Sequence, residues 1–203
     1  MLGKKLGMTQ LIMEDGSMVS VTVIDVHGNI VTEIRTQEKH GYDAVQIGFG
    51  EIKNVKKPAE GFFKKNNIEA RKHLREFLDM NPAEYTVGMA LTSDVLPERV
   101  SVSGVSKGKG FQGVVRRWNA RGGVSTHGSM HHRAPGSIGS SSFPSRVLKG
   151  LHMPGHMGAR NHTIENVKIV RKDSERHLIF VKGAVPGANG SLVYIYASPK
   201  TVK

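Results

Sequence analysis

The chain has 203 residues, no cysteine and a formal charge of +12. That length can bury a sizeable core in one domain or two. The absent cysteines exclude a disulfide scaffold, a thiol catalyst and cysteine-ligated zinc. A pI near 10 calls for a polyanionic partner, nucleic acid first.

The first residues, Met1-Leu2-Gly3-Lys4-Lys5, reach a lysine after one apolar residue, so no signal peptide is expected. No apolar run approaches the ~18 residues of a membrane span. The expected setting is intracellular and soluble. Residues 8–13 read as a strand. The alternation of Val19, Val21 and Val23 with Ser20, Thr22 and Ile24 predicts a second, with one apolar face. Between them Asp15-Gly16 is a hairpin signal. Residues 30–34 and 44–49 continue the series, bounded by His27-Gly28-Asn29 and His40-Gly41.

One helix is expected to interrupt. From Asn67, an N-cap candidate, Ile68, Leu74, Phe77 and Leu78 share a helical face, with Arg71, Lys72, Arg75 and Glu76 on the solvated side. Asn81-Pro82 closes it. Strands return beyond Thr163: around Val167 and Ile169, at residues 178–181, and at residues 192–196 after a Gly-Pro-rich stretch. Strands on both sides of the middle predict one sheet system, an antiparallel barrel or sandwich.

The middle is chemically distinct. Residues 99–164 carry 10 Lys+Arg and no acid, while the other 137 residues net only +2. The stretch also holds 12 of the 24 glycines and 6 of the 10 histidines. Its apolar residues are too scattered to offset the entropy of ordering alone. A structureless loop of this length calls for a function or a partner. Carboxylates threaded among phosphates would be desolvated beside like charge. Glycines allow close backbone approach, and Arg and Lys supply phosphate donors. With only three aromatics, a base-stacking platform is not expected. Binding to folded RNA through backbone and shape is.

Three catalytic patterns invite attention and lack their context. Gly108-Lys109-Gly110-Phe111-Gln112-Gly113 fits G-x-G-x-x-G, but no ribose-binding acid follows before Glu165. Gly104-Val105-Ser106-Lys107-Gly108 fits a nucleophile elbow, with Asp173 and His177 in the right order. Lys-Gly-Lys-Gly after Ser106 starts no stable helix. The pairs His127/His131 and His152/His156 have zinc spacing only on helices, which Gly128 and Pro154-Gly155 oppose. No catalytic residue, metal or cofactor is expected. A basic RNA enzyme using Ser106, Asp173 and His177 or a histidine-bound metal, and a DNA-architectural protein, are the weaker readings.

The ordered motifs are recognisable together. Residues 106–113, Arg117-Trp118, Thr126-His127-Gly128-Ser129, His132-Arg133, Pro135-Gly136-Ser137-Ile138-Gly139, Lys149-Gly150 and Met153-Pro154-Gly155-His156-Met157-Gly158 resemble the bacterial-type large-subunit ribosomal protein L-three family. Gly3-Lys4-Lys5-Leu6-Gly7-Met8-Thr9 and Val181-Lys182-Gly183-Ala184-Val185-Pro186-Gly187 resemble its two ends.

The resemblance implies a mainly β fold: a six-stranded translation-protein-type barrel with a small helical insertion and a long irregular extension. The barrel would hold residues 1–103 and 163–203, with the helical insertion near 60–80, and the extension residues 104–162. It implies a structural constituent of the large ribosomal subunit, in a cytoplasmic or organellar ribosome. Such a protein binds large-subunit rRNA, acts early in assembly and supports the peptidyl-transferase centre. The L-fourteen and L-nineteen families are the implied protein neighbours; neither a membrane nor a homo-oligomer is expected. The RNA-binding residues would be Lys107, Lys109, Arg116, Arg117, Trp118, Arg121, His127, His131, His132, Arg133, Arg146, Lys149, His152, His156 and Arg160. The extension tip would be Met153, Pro154, Gly155, His156, Met157 and Gly158. Some relatives carry a methylated glutamine where this chain has His156, so that modification is not expected here.

Overall fold

The computed structural model describes residues 1–198. In chain order it contains β1 (Leu2–Ile12), β2 (Met18–Asp25), β3 (Ile30–Arg35), α1 (Gln37–His40), β4 (Ala44–Glu51), α2 (Lys57–Lys65) and β5 (Arg71–Phe77). There follow β6 (Arg99–Val105), β7 (Phe111–Gln112), α3 (Val114–Trp118), β8 (Gly155–His156), β9 (Asn161–Asp173), β10 (Leu178–Lys182) and β11 (Leu192–Ala197). The described residues divide into two units: Met1–Val105 with the residues from Asn161 on, and Ser106–Arg160.

The first unit is built on a closed six-stranded barrel of order β1-β11-β6-β9-β10-β2, every neighbour antiparallel. The fold is mainly β, as the sequence predicts. The β1–β2 hairpin turns where Asp15-Gly16 places it. The Asp15 carboxylate accepts from the Ser17 amide at 2.9 Å, and Gly16 sits at φ +77°. β6 and β9 flank the middle segment in sequence yet pair directly, Val105 opposite Asn161. The flanks therefore complete one sheet.

Both faces of β2 contribute to burial: Val21, on the predicted apolar face, is fully buried. Ile24 and Thr22, on the face opposite the three valines, are fully buried, while Val19 and Val23 are only half-buried. Thr22 is admitted because its hydroxyl donates to the Gly183 carbonyl at 2.6 Å. The core joins Leu2, Ile24, Val100, Val102, Ile179, Val181, Val193 and Ile195 from the barrel to Val31, Val45 and Ile47 from a second sheet, β3-β4-β5.

Two buried polar side chains tie distant segments together. Asn29, 1% exposed, accepts from the Leu2 amide at 3.0 Å and donates to the Leu2 and Val26 carbonyls at 2.8 and 2.7 Å. Lys5 donates from Nζ to the carbonyls of Val185 and Gly187 at 2.7 and 3.0 Å. Those carbonyls belong to the second terminal motif and Lys5 to the first.

The helix expected from Asn67 is a strand. Asn67 has a left-handed backbone (φ 52°), and β5 pairs along β4 from Glu51↔Arg71 to Val45↔Phe77. Leu74 and Leu78, assigned to the apolar helix face, are exposed. Cross-strand pairing with β4 outweighs a helical spacing that only four residues supported. The helix of this region is α2, ahead of the expected start. Pro58 lies in its first turn, the Glu60–Lys64 pair closes at 2.6 Å across one turn, and Phe63 is its buried residue.

Candidate nucleic-acid interface

The second unit, Ser106–Arg160, starts as a two-legged ladder. The Ser106 amide donates to the Arg160 carbonyl at 2.9 Å and the Ala159 amide to the Ser106 carbonyl at 3.1 Å. Lys109 and Met157 continue it, with their amides donating to the Met157 and Gly110 carbonyls at 2.9 Å. Next, β7 pairs with β8, Phe111 opposite His156 and Gln112 opposite Gly155. Glycine is required where the legs touch. Gly158 sits at φ +77°, and a Cβ there would lie 2.1 Å from the Lys107 carbonyl oxygen.

The short helix α3 braces this ladder. It buries Val114 and ends at Asn119 in the left-handed conformation. Its last two residues converge on one acceptor: Arg117 Nη1 and Trp118 Nε1 donate to the Met153 carbonyl at 2.7 and 3.0 Å. Gly155 makes room, since a Cβ there would come within 2.6 Å of Arg117 Nη1. The Trp118 indole stacks on the His152 imidazole, centroids 4.1 Å apart and planes 6° from parallel. The Arg117 guanidinium lies 5.0 Å from the indole centroid.

Beyond the brace the chain is irregular but ordered by backbone contacts. The Gly123 amide donates to the His132 carbonyl at 3.0 Å, and a Cβ on Gly123 would lie 1.5 Å from the His131 carbonyl oxygen. His132 Nδ1 donates to the Val124 carbonyl at 3.1 Å, which fixes the proton on that nitrogen in the neutral ring.

Lys107, Lys109, Arg116, Arg121, Arg133, Arg146, Lys149 and Arg160 are exposed, as are His127, His131, His132, His152 and His156. Arg117 is half-buried and engaged within the unit. Gly155, His156, Met157 and Gly158 lie on the return leg of the ladder, and Met153 and Pro154 lead into it. Ion pairs among the described residues, such as Arg35 with Glu33 and Glu76, all lie in the first unit. The cations of the second unit thus face solvent without a carboxylate partner among the described residues. Phe111, Met130 and Phe143 are 76%, 98% and 87% exposed.

Sequence reasoning misses the internal role of Arg117 and the Met153 carbonyl. Gly155 and Gly158 are the available signals, since they mark close contact rather than flexibility. The residues of the catalytic patterns are engaged in local structure. Ser106 Oγ donates to the Arg160 carbonyl at 3.1 Å, and the next helix after it begins only at Val114. The Asp173 carboxylate accepts from the Arg176 amide at 3.0 Å, and the His177 ring packs on His27 at 4.8 Å. Neither histidine pair lies on a helix: His127 has φ 59°, and His156 belongs to β8.

Compared with protein families, the chain matches the model described as Ribosomal protein L3 over residues 89–178. The matched stretch takes in β6, the whole second unit and β9.

Proposed function

We propose, from the premise that this chain belongs to the ribosomal protein L3 family, that its second unit is the rRNA-gripping element. The family makes the chain a structural constituent of the large ribosomal subunit that binds large-subunit rRNA, and so places it in the ribosome. The finer reading gives the exposed Lys and Arg of Ser106–Arg160 the phosphates. It gives Met153–Gly158 the position nearest the peptidyl-transferase centre. The protein acts early in subunit assembly and holds rRNA around that centre, and the neighbours of its body are the L-fourteen and L-nineteen families. Residues 1–103 and 163–203 serve as the anchoring body and residues 104–162 as the extension. Its role is structural rather than catalytic.

One observation carries this reading. The exposed cations of Ser106–Arg160 have no carboxylate partner among the described residues, and the sequence places no acid among them. Unneutralised charge of one sign is costly in a free protein and favourable against a polyanion. The test uses the whole chain and large-subunit rRNA transcribed in vitro. Each phosphate neutralised contributes about −0.9 to the log–log salt slope on duplex DNA, and RNA is of similar order. Replacing Lys107, Lys109, Arg116 and Arg133 together by Gln is expected to flatten that slope by about 3.6. Unchanged affinity and slope would place the RNA contact elsewhere.

A further inference from the structure

We propose that Trp118 and His152 form a stacking site that takes one unpaired nucleobase of RNA on the open face of the His152 imidazole. The inference rests on the reading of the second unit as an RNA-binding element and adds a specific mode of contact to it.

The geometry is that of a prepared stack. The indole cannot rotate freely, because its Nε1–H is held by the Met153 carbonyl at 3.0 Å. The Arg117 beside it is fixed to the same carbonyl. The imidazole lies parallel to the indole within 6° and is exposed. Among the described residues no hydrogen bond engages its ring nitrogens. Counting Phe, Tyr and Trp leaves this site out, since its outer ring is a histidine.

The indole has lost its rotamer freedom before any ligand arrives, and it offers the imidazole a parallel surface to rest on. The partner must be flat, and it must tolerate a surrounding set of cations. A nucleobase carried on a phosphate backbone meets both requirements. Duplex RNA keeps its bases within the stack, so the ligand is a base from a loop, bulge or strand end. Recognition by stacking is sequence-tolerant, because every base offers a π face.

Trp118 is the only tryptophan in the chain, so intrinsic fluorescence reports on this site alone. The whole chain is titrated with an oligoadenylate ten-mer and with an abasic ten-mer of equal charge. Binding is followed in parallel by anisotropy of an end label on the RNA. The oligoadenylate is expected to change Trp118 emission and to bind about 5-fold or more tighter than the abasic strand. His152→Ala should abolish the emission change and that preference, and His152→Phe should restore both. His152 is exposed, and circular dichroism of each variant checks that the fold is kept.

Binding of both strands with equal affinity and no emission change would overturn the stacking site while leaving RNA binding intact. Restoration by His152→Lys but not by His152→Phe would overturn it in favour of a simple charge contact. If neither strand nor the rRNA transcript binds, the reading of the second unit fails, and the stacking site with it.

Discussion

Arg117 donates from Nη1 to the carbonyl of Met153 at 2.7 Å, closing 36 residues of chain through one charge-assisted hydrogen bond. This cation, expected to face phosphate, also braces the unit from within. It ties Met153, just ahead of β8, to the end of α3.

Arg117→Ala should therefore loosen the ladder. A hydrogen bond to a charged group is worth about 1.5–3 kcal/mol, and half-exposure of the guanidinium argues for the lower end. Amide exchange at Met157 and Ala159 should accelerate about 10-fold, with the barrel amides unchanged. Exchange at those two amides matching the wild type would show that Arg117 does not brace the ladder.

Two glycines separate collision from conformation. Gly158 and Gly150 both have positive φ, +77° and +87°, but only Gly158 lies against another backbone; nothing stands within 4 Å of a Cβ on Gly150. Gly150→Ala should cost about 1 kcal/mol, the left-handed penalty alone. Gly158→Ala must also displace the Lys107 carbonyl and should break the Lys109–Met157 pairing. Comparing the amide shifts of Lys109 and Met157 in the two variants decides the matter. Equal, small shifts in both would mean that the legs tolerate separation.

Lys5→Met tests the junction of the two terminal motifs. Lys5 is 6% exposed, so methionine keeps most of the packing while leaving the Val185 and Gly187 carbonyls short of a donor. About 2 kcal/mol of stability should be lost, with faster exchange confined to residues 183–187. A urea midpoint equal to that of the wild type would show that water replaces the ammonium without penalty.

His73 gives the body a mild acid sensitivity. Burial, and then neighbouring Lys72, pushes its imidazole below the usual 6.5. The folded state thus favours the neutral ring, and below pH 6.5 the unfolded chain binds more protons. The stability from the neutral ring is complete above that pH and is lost as pH falls through it. His73→Gln should make the urea midpoint flatter between pH 7.5 and 5. An identical slope in the variant would assign the pH dependence to other groups.

Much of the barrel is legible before any coordinates. Asp15-Gly16 marks the first hairpin, and the alternations around Ile169, Ile179 and Ile195 mark strands that the structure contains. β5 is not legible in this way, because Arg71 and His73 rather than apolar residues take half-buried positions, while Leu74 and Leu78 are exposed. α2 carries its own signals in Pro58 and the Glu60–Lys64 pair, which a search for apolar periodicity passes over. In the second unit the cations are plain, because charge is a property of composition. The convergence of Arg117 and Trp118 on Met153 is not. It depends on pairing between legs some 35 residues apart, and a carbonyl leaves no trace in a side-chain pattern.

The strand order has a consequence for synthesis. β11, the last strand among the described residues, sits between β1 and β6. The ring therefore cannot close until β11 has left the exit tunnel. During that interval β1 and β6 each wait with an unpaired edge, and the cationic segment has already emerged between β6 and β9. Until β11 arrives, those two edges are open to pairing with other chains.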